Sequence, residues 1–327
     1  MSGTAAVTGA SGFIGRHLCR RLDETGWTVL RIDRSAGCDI RERESVLALR
    51  AKIPTSATFF HLAGRAHEHD ESLSASSEYQ RVNVDGTEHV LALASATQAA
   101  RVVFASSVSV YGTVSGIATE TTPTAPQTPY ATSKLAAQRL VTMSPFGTVL
   151  QFPMVYGGVD RGNMTRIVRA IYRRRFPPLP ELRNRRSVLH VANAVDALLL
   201  AATHPAAHRE TFLVTDAKAV STTDIQRTTL RVLGRSPSRI TLRPWTLRAI
   251  AKVGDTLGDV LNRRMPLDST ALGKLVDSAE FSSQKIVSML GYAPRCTLED
   301  GIRTIIAELA DQNVPTDADP AARHART

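Results

Sequence analysis

Apolar residues change their period regularly along the first half of the chain. Short apolar runs at residues 5–8, 28–33, 58–62, 101–105 and 148–152 have the length of buried strands. Between the first two, Phe13, Ile14, His17, Leu18 and Leu22 recur near one face of a helix expected over 12–25. Further helices are expected over 77–97 and 129–143. Strand–helix–strand units with short connections require parallel strands and right-handed crossovers. The pattern predicts an α/β chain with a doubly wound parallel sheet of Rossmann type. Beyond residue 153 the rhythm loosens. Strands at 188–191 and 211–214 and helices at 164–173, 194–203, 223–233 and 298–309 are separated by Pro- and Arg-rich loops. We expect a main domain over 1–153, a smaller lobe over 154–310, and a polar tail over 311–327 that frays.

Composition narrows the class. The 327 residues are 43% hydrophobic and 21% charged, which excludes disorder, collagen and coiled coil as readings of the whole chain. No run approaches 18 apolar residues, and an apolar strand follows Met1–Thr4 without room for a secretory leader. Cys19, Cys38 and Cys296 are too few and too scattered for a disulfide framework or a zinc site. The chain reads as cytoplasmic, with no membrane partner. The net charge of +10 raises nucleic-acid binding, but no nucleic-acid module is recognisable. The basic excess is also local: residues 161–186 hold nine Arg against Glu181 alone. Part of that cluster suits an anion, because guanidinium forks match phosphate oxygens.

The loop Thr8-Gly9-Ala10-Ser11-Gly12-Phe13-Ile14-Gly15 joins the first strand to the first helix. Glycines there allow a tight turn and close approach to a pyrophosphate, and a helix N-terminus offers unpaired N–H groups. Asp33 ends the next strand, placed to accept bonds from ribose hydroxyls and to disfavour a 2′-phosphate. A dinucleotide is therefore expected, NAD in preference to NADP, with Arg34 and Arg16 near enough to moderate that choice. The chain has no Gly-x-x-x-x-Gly-Lys-Ser/Thr loop, which argues against a P-loop nucleotidase.

Tyr130 and Lys134 stand four residues apart at the start of a helix, on one face. A tyrosine must lose about three pKa units, about 4 kcal/mol, to act as a base at neutral pH. A neighbouring ammonium helps supply that shift. Ser106 and Ser107 run off the end of the strand that begins at Arg101, where ligands sit in an open parallel sheet, so both are expected to face the crevice.

These motifs, with Asn83-Val84-Asp85-Gly86-Thr87 and Val110-Tyr111-Gly112, resemble the extended short-chain dehydrogenases/reductases. That is the NAD-dependent epimerase/dehydratase family acting on nucleotide sugars. The likeness continues through Val155-Tyr156-Gly157, Gly162-Asn163, Asn184-Arg185-Arg186-Ser187 with His190-Val191, and Leu290-Gly291-Tyr292, covering residues 4 to 310. The resemblance implies Ser107, Tyr130 and Lys134 as catalytic residues. It implies a cofactor site of Gly9, Ser11, Gly12, Phe13, Ile14, Gly15, Asp33, Arg34, Asp39, Ile40, Leu62, Ala63, Gly64, Asn83 and Ser106 together with Tyr130 and Lys134. Asn163, Arg186 and, more weakly, Arg263 match residues that bond the nucleotide diphosphate. A homodimer through the 77–97 and 130–143 helices is implied by resemblance alone.

Departures from the family pattern refine the expected activity. Val108-Ser109 replace the Asp-Glu pair of the 4,6-dehydratases, so dehydration is not expected. Gln151-Phe152-Pro153-Met154 stands where UDP-galactose 4-epimerases read Arg-x-Phe-Asn. The Asn184–Ser187 stretch resembles a surface-polysaccharide branch that includes 4-keto-sugar reductases. The expected activity is NAD-dependent epimerization at C4 of a UDP-hexose or UDP-N-acetylhexosamine. The rivals are an NAD(P)H-dependent UDP-4-keto-6-deoxy-sugar reductase and a non-catalytic NAD-binding sensor. The histidines of His67-Glu68-His69-Asp70 diverge on a helix, and no metal is expected.

Overall fold

A computed structural model describes residues 3–66, 73–160, 162–238, 246, 252, 272–273 and 276–312. Strands β1 (Thr4–Thr8), β2 (Thr28–Ile32), β3 (Thr58–His61) and β4 (Arg101–Ser107) alternate with helices. These are α1 (Phe13–Glu24), the short α2 (Arg43–Leu47), α3 (Leu73–Tyr79) and α4 (Gly86–Ala96). After the two-residue β5 (Ile117–Ala118) come α5 (Pro129–Met143), β6 (Gly147–Phe152) and β7 (Met154–Tyr156). Then follow α6 (Asn163–Tyr172), β8 (Val188–His190), α7 (Val191–Thr203), β9 (Thr211–Leu213) and α8 (Thr222–Val232). The described chain ends with β10 (Glu280–Phe281), α9 (Gln284–Leu290) and α10 (Leu298–Asp311).

The main sheet is parallel throughout, in the order β2-β1-β3-β4-β6-β9. Its two faces follow from strand alternation. Ala5 and Val7 of β1 pack with Leu18 and Leu22 of α1, Leu198 of α7 and Ile286 of α9. Ala6 points the other way, into a cluster with Phe59, Val90, Leu93 and Val102. The chain runs from β1 to β2 on one side and returns to β3 on the other, so the crevice between β1 and β3 is the switch point where such sheets take ligands. Beside the sheet, Tyr156, Met164, Val168, Ile225, Ile302 and Ile305 form a separate core for α6, α8 and α10.

Three features differ from the sequence pattern. The helix expected over 77–97 starts at Leu73 and is interrupted by a π-helical turn, Gln80–Asp85. β4 extends two residues further than its apolar run, carrying both Ser106 and Ser107 inside the strand. The chain beyond residue 153 also returns to the main sheet, where β9 pairs with β6 and α7 packs on the face with α1.

Candidate active site

The glycine loop owes its shape to two close approaches. Gly9 has φ +69°, and a Cβ there would lie 2.7 Å from the Ala63 backbone nitrogen. A Cβ on Gly15 would lie 2.1 Å from the Gly9 carbonyl, so α1 sits flush on the loop. Gly12 caps α1 in extended conformation with no side chain on the first turn's N–H groups. Those donors, with Phe13 and Ile14 half-buried behind them, suit a pyrophosphate. Asp33 closes the far side: Oδ2 accepts from Ser11 N at 3.0 Å, and Oδ1 from Ser35 Oγ and Ala36 N. The Ser35 bond leads the interactions that hold its carboxyl below the ordinary value. Arg34 beside it is exposed. The cradle fits a dinucleotide with a free ribose diol.

On the adenine side, Asp39 is engaged by Arg41, whose Nε and Nη2 reach its carboxylate while Nη1 reaches Glu78. Arg41 is the main cause of the lowered Asp39 pKa. Ile40 is buried, and its carbonyl bonds the His89 ring at 2.9 Å.

At the carboxyl end of β4, which carries Ser107, Lys134 of α5 reaches the strand. Lys134 is 6% exposed, and its Nζ donates to the Ala105 carbonyl at 2.6 Å and lies 4.1 Å from the centre of the Phe104 ring. Burial lowers its pKa to about 7. Tyr130, one turn earlier and half-buried, meets the Tyr79 ring edge-on at 6.0 Å. Thr128 caps this helix by accepting from Ala131 N, with Pro129 opening it, so Tyr130 stands on a fixed first turn and Lys134 on the next. Ser107 Oγ accepts from Ser109 N and Ser109 Oγ, which leaves its own O–H available as a donor.

Ser106 departs from expectation. Strand alternation turns it away from Ser107, and its hydroxyl donates to Gln138 at 2.8 Å. Its side chain belongs to a buried chain running through Gln138 and Gln151 to Tyr111.

Leu62, Ala63 and Gly64 line the loop after β3. A Cβ on Gly64 would be 3.2 Å from Asn83 Oδ1 and 3.9 Å from Lys134 Nζ, so this loop, the π-helical turn and α5 converge. Asn83 accepts from Arg65 N and donates to Arg65 O and Ser133 Oγ, and Ser133 donates to the Tyr130 carbonyl. Asn163 opens α6 behind Gly162. The Arg186 backbone pairs with Val220, and its side chain is half-buried. Arg263 lies outside the described residues, as do residues 67–70. Among the described residues no group of three His, Cys, Asp or Glu could hold a metal.

The sequence reading passed over His61 and Arg65. His61 is 1% exposed, between Thr8 Oγ1 at 2.7 Å and Thr87 Oγ1 at 2.9 Å. Thr87 donates to the Asn83 carbonyl, so it accepts from His61 Nε2–H, and His61 Nδ1 accepts from Thr8. Burial, then the nearby Lys134 charge, lower the His61 pKa to about 3, so the ring is neutral. Arg65 stacks its guanidinium 5.6 Å from the Tyr79 ring centre. A polar residue closing the apolar run Thr58-Phe59-Phe60 was the available signal for His61. Nothing in the sequence marked Arg65.

Sheet, glycine loop and Asp33 define a Rossmann-type dinucleotide enzyme. The chain belongs to the NAD dependent epimerase/dehydratase family, whose model matches residues 5–214. NAD is its cofactor. A ketoreductase of Stigmatella aurantiaca that acts on 4-hydroxy-2-methyl-3-oxo-4-farnesyl-3,4-dihydroquinoline-1-oxide is 28% identical over 90% of this chain and 93% of its own. The N-acetyl-alpha-D-glucosaminyl-diphospho-ditrans,octacis-undecaprenol 4-epimerase of Escherichia coli O157:H7 is 24% identical over 92% and 94%. The Thermotoga maritima UDP-glucose 4-epimerase, solved with UDP-glucose, shares the fold at TM-score 0.74 and 19% identity, over 94% of this chain and 99% of its own.

Proposed function

We propose that this enzyme epimerizes C4 of a UDP-hexose or UDP-N-acetylhexosamine. The observation that carries the reading is buried Lys134, one helical turn from Tyr130, whose Nζ reaches the Ala105 carbonyl two residues before Ser107 and lies beside Gly64. NAD, when bound, supplies a reversible hydride acceptor. Tyr130 removes the C4 hydroxyl proton and returns it, and Ser107 donates its O–H to the same oxygen and fixes its position. Lys134 lies one helical turn from Tyr130 and favours the phenolate when charged. Asn163 and Arg186, with Arg263, would bind the diphosphate.

The first test incubates the enzyme with UDP-GlcNAc, UDP-glucose and a UDP-4-keto-6-deoxy-N-acetylhexosamine, following NADH absorbance and sugar products. The expected result is interconversion of C4 epimers without net NADH. Stoichiometric loss of NAD(P)H with the keto sugar, and no interconversion, would establish a reductase. That second reading is supported by the Stigmatella ketoreductase and by the missing asparagine at residue 154. We also propose a cytoplasmic homodimer, tested by light scattering. Among the described residues no helix is long and apolar enough to cross a membrane.

A further inference from the structure

The positive charge of this chain is concentrated. Residues 161–186 carry nine basic groups and one acid, while the other 301 residues carry 31 and 29, so +8 of the net +10 sits in 26 residues. A general preference for arginine would spread along the whole sequence. Of the described arginines in this stretch, Arg185 pairs with Glu280 and Arg186 is half-buried, and most of the others lie on α6 and the turn that ends it. α6 buries Met164, Thr165, Val168 and Ile171, and Arg166, Arg169 and Arg173, spaced three and four apart, share the opposite face. Arg174 follows with φ +56°, then Arg175, and Arg183 lies on the next loop. All six except the half-buried Arg169 are exposed, and none forms an ion pair with a described acid. Two acids on the flanking segments are already engaged. Glu181 lies 3.6 Å from Arg227, and Asp160 accepts from Gly162 N and Thr165 Oγ1.

Against the expectation of no membrane partner, we propose that this face is a docking surface for an anionic lipid bilayer, with the guanidinium groups meeting lipid phosphates. Arginine forks match phosphate oxygens, and a juxtaposed set of them is attracted to an anionic leaflet. The aromatic neighbours give no platform on which bases could stack, because Tyr172 and Phe176 pack into apolar clusters. A bilayer is favoured over single-stranded nucleic acid for that reason, and the duplex is left to the test below. The position relative to the candidate site adds a second argument. α6 begins at Asn163, a candidate diphosphate ligand, and its ten residues span about 15 Å, so docking holds the mouth of that site close to the headgroups. The Escherichia coli relative acts on a sugar diphosphate carried by undecaprenol, a lipid. The proposal concerns a face outside the catalytic residues and does not depend on which reaction they perform.

The experiment is co-sedimentation of the full chain with vesicles of equimolar phosphatidylglycerol and phosphatidylcholine, and with vesicles of phosphatidylcholine alone. Binding to the anionic vesicles only is expected, with loss at high salt. Each arginine near an anionic surface changes partitioning by about fivefold, so Arg173→Gln, Arg174→Gln and Arg175→Gln combined should weaken it on the order of 10²-fold. Circular dichroism checks that the variant folds, and its turnover of soluble nucleotide sugar should match the parent. Four results would each overturn the proposal: no binding of the folded parent, unchanged binding of the triple variant, displacement by inorganic phosphate at constant ionic strength, or duplex DNA or RNA bound as tightly as the vesicles. If vesicle binding holds while no nucleotide sugar turns over, the docking surface stands and the reaction reading fails.

Discussion

Burial opposes an ammonium at Lys134, and its pKa falls from 10.5 to about 7. Between those values the unfolded chain binds more protons than the folded one, so this residue's contribution to stability rises with pH across the window. Below about pH 7 the cost of burying the charge is fully present. Lys134→Met should therefore show a smaller rise in Tm between about pH 7 and about pH 9, measured calorimetrically, while turnover is lost. Tyr130→Phe removes the oxygen proposed to carry the proton and little volume. Folding and NAD affinity should survive, and turnover should fall by about 10²–10⁴-fold. Retention of more than about a tenth of parental activity would rule Tyr130 out as the acid/base. Asp33 makes a third residue-scale case. Oδ1 is taken up by Ser35 Oγ and Ala36 N, while Oδ2, which holds the glycine loop through Ser11 N, keeps acceptor capacity for a ribose hydroxyl. Titration calorimetry should find NAD bound more tightly than NADP, and the reverse order would move the determinant to Arg34 or Arg16.

The element that most affects the site is the π-helical turn Gln80–Asp85. The apolar pattern fitted one helix over 77–97 because hydrophobic periodicity does not register a single wider turn. The turn holds Asn83 in reach of both Arg65 and Ser133. A buried set of bonds continues from the Asn83 carbonyl through Thr87 and His61 to Thr8 and Ala63 N, tying β1, β3 and α4 together under the cofactor cradle. His61→Leu would leave two buried hydroxyls without their ring partner, at about 1–3 kcal/mol for each such group, and equilibrium unfolding in urea should register the loss. His61→Gln, which both donates and accepts, should recover part of it. A variant as stable as the parent would show that these bonds contribute nothing.

At the scale of the molecule, the chain beyond residue 153 is anchored by a buried knot. Asn193, fully buried, donates to Asp216 and to the Cys296 carbonyl and accepts from Arg295 N and Cys296 N, so α7 grips the segment leading into α10. Asp216 also takes bonds from His190 N and Tyr156, and burial raises its pKa. Asn193→Ala strips a donor from that carboxylate and leaves two backbone N–H groups unpaired, so Tm should fall by several degrees, about 2–4 kcal/mol in stability. No change in Tm would refute the role given to the knot. α10 then reaches back to the glycine-loop end of the fold, where Glu308 accepts from Val159 N and a Cβ on Gly158 would touch Phe13. The sequence by itself determined the alternating architecture, the glycine loop, Asp33 and the Tyr130–Lys134 spacing, because each is a local pattern whose period or offset carries its meaning. Only the tertiary structure decided the separation of Ser106 from Ser107, the return of β9 and α7 to the sheet, the buried His61 and the stacking of Arg65 on Tyr79. Those depend on which distant segments meet in the interior, where a polar group must find its partner among residues far away in the chain.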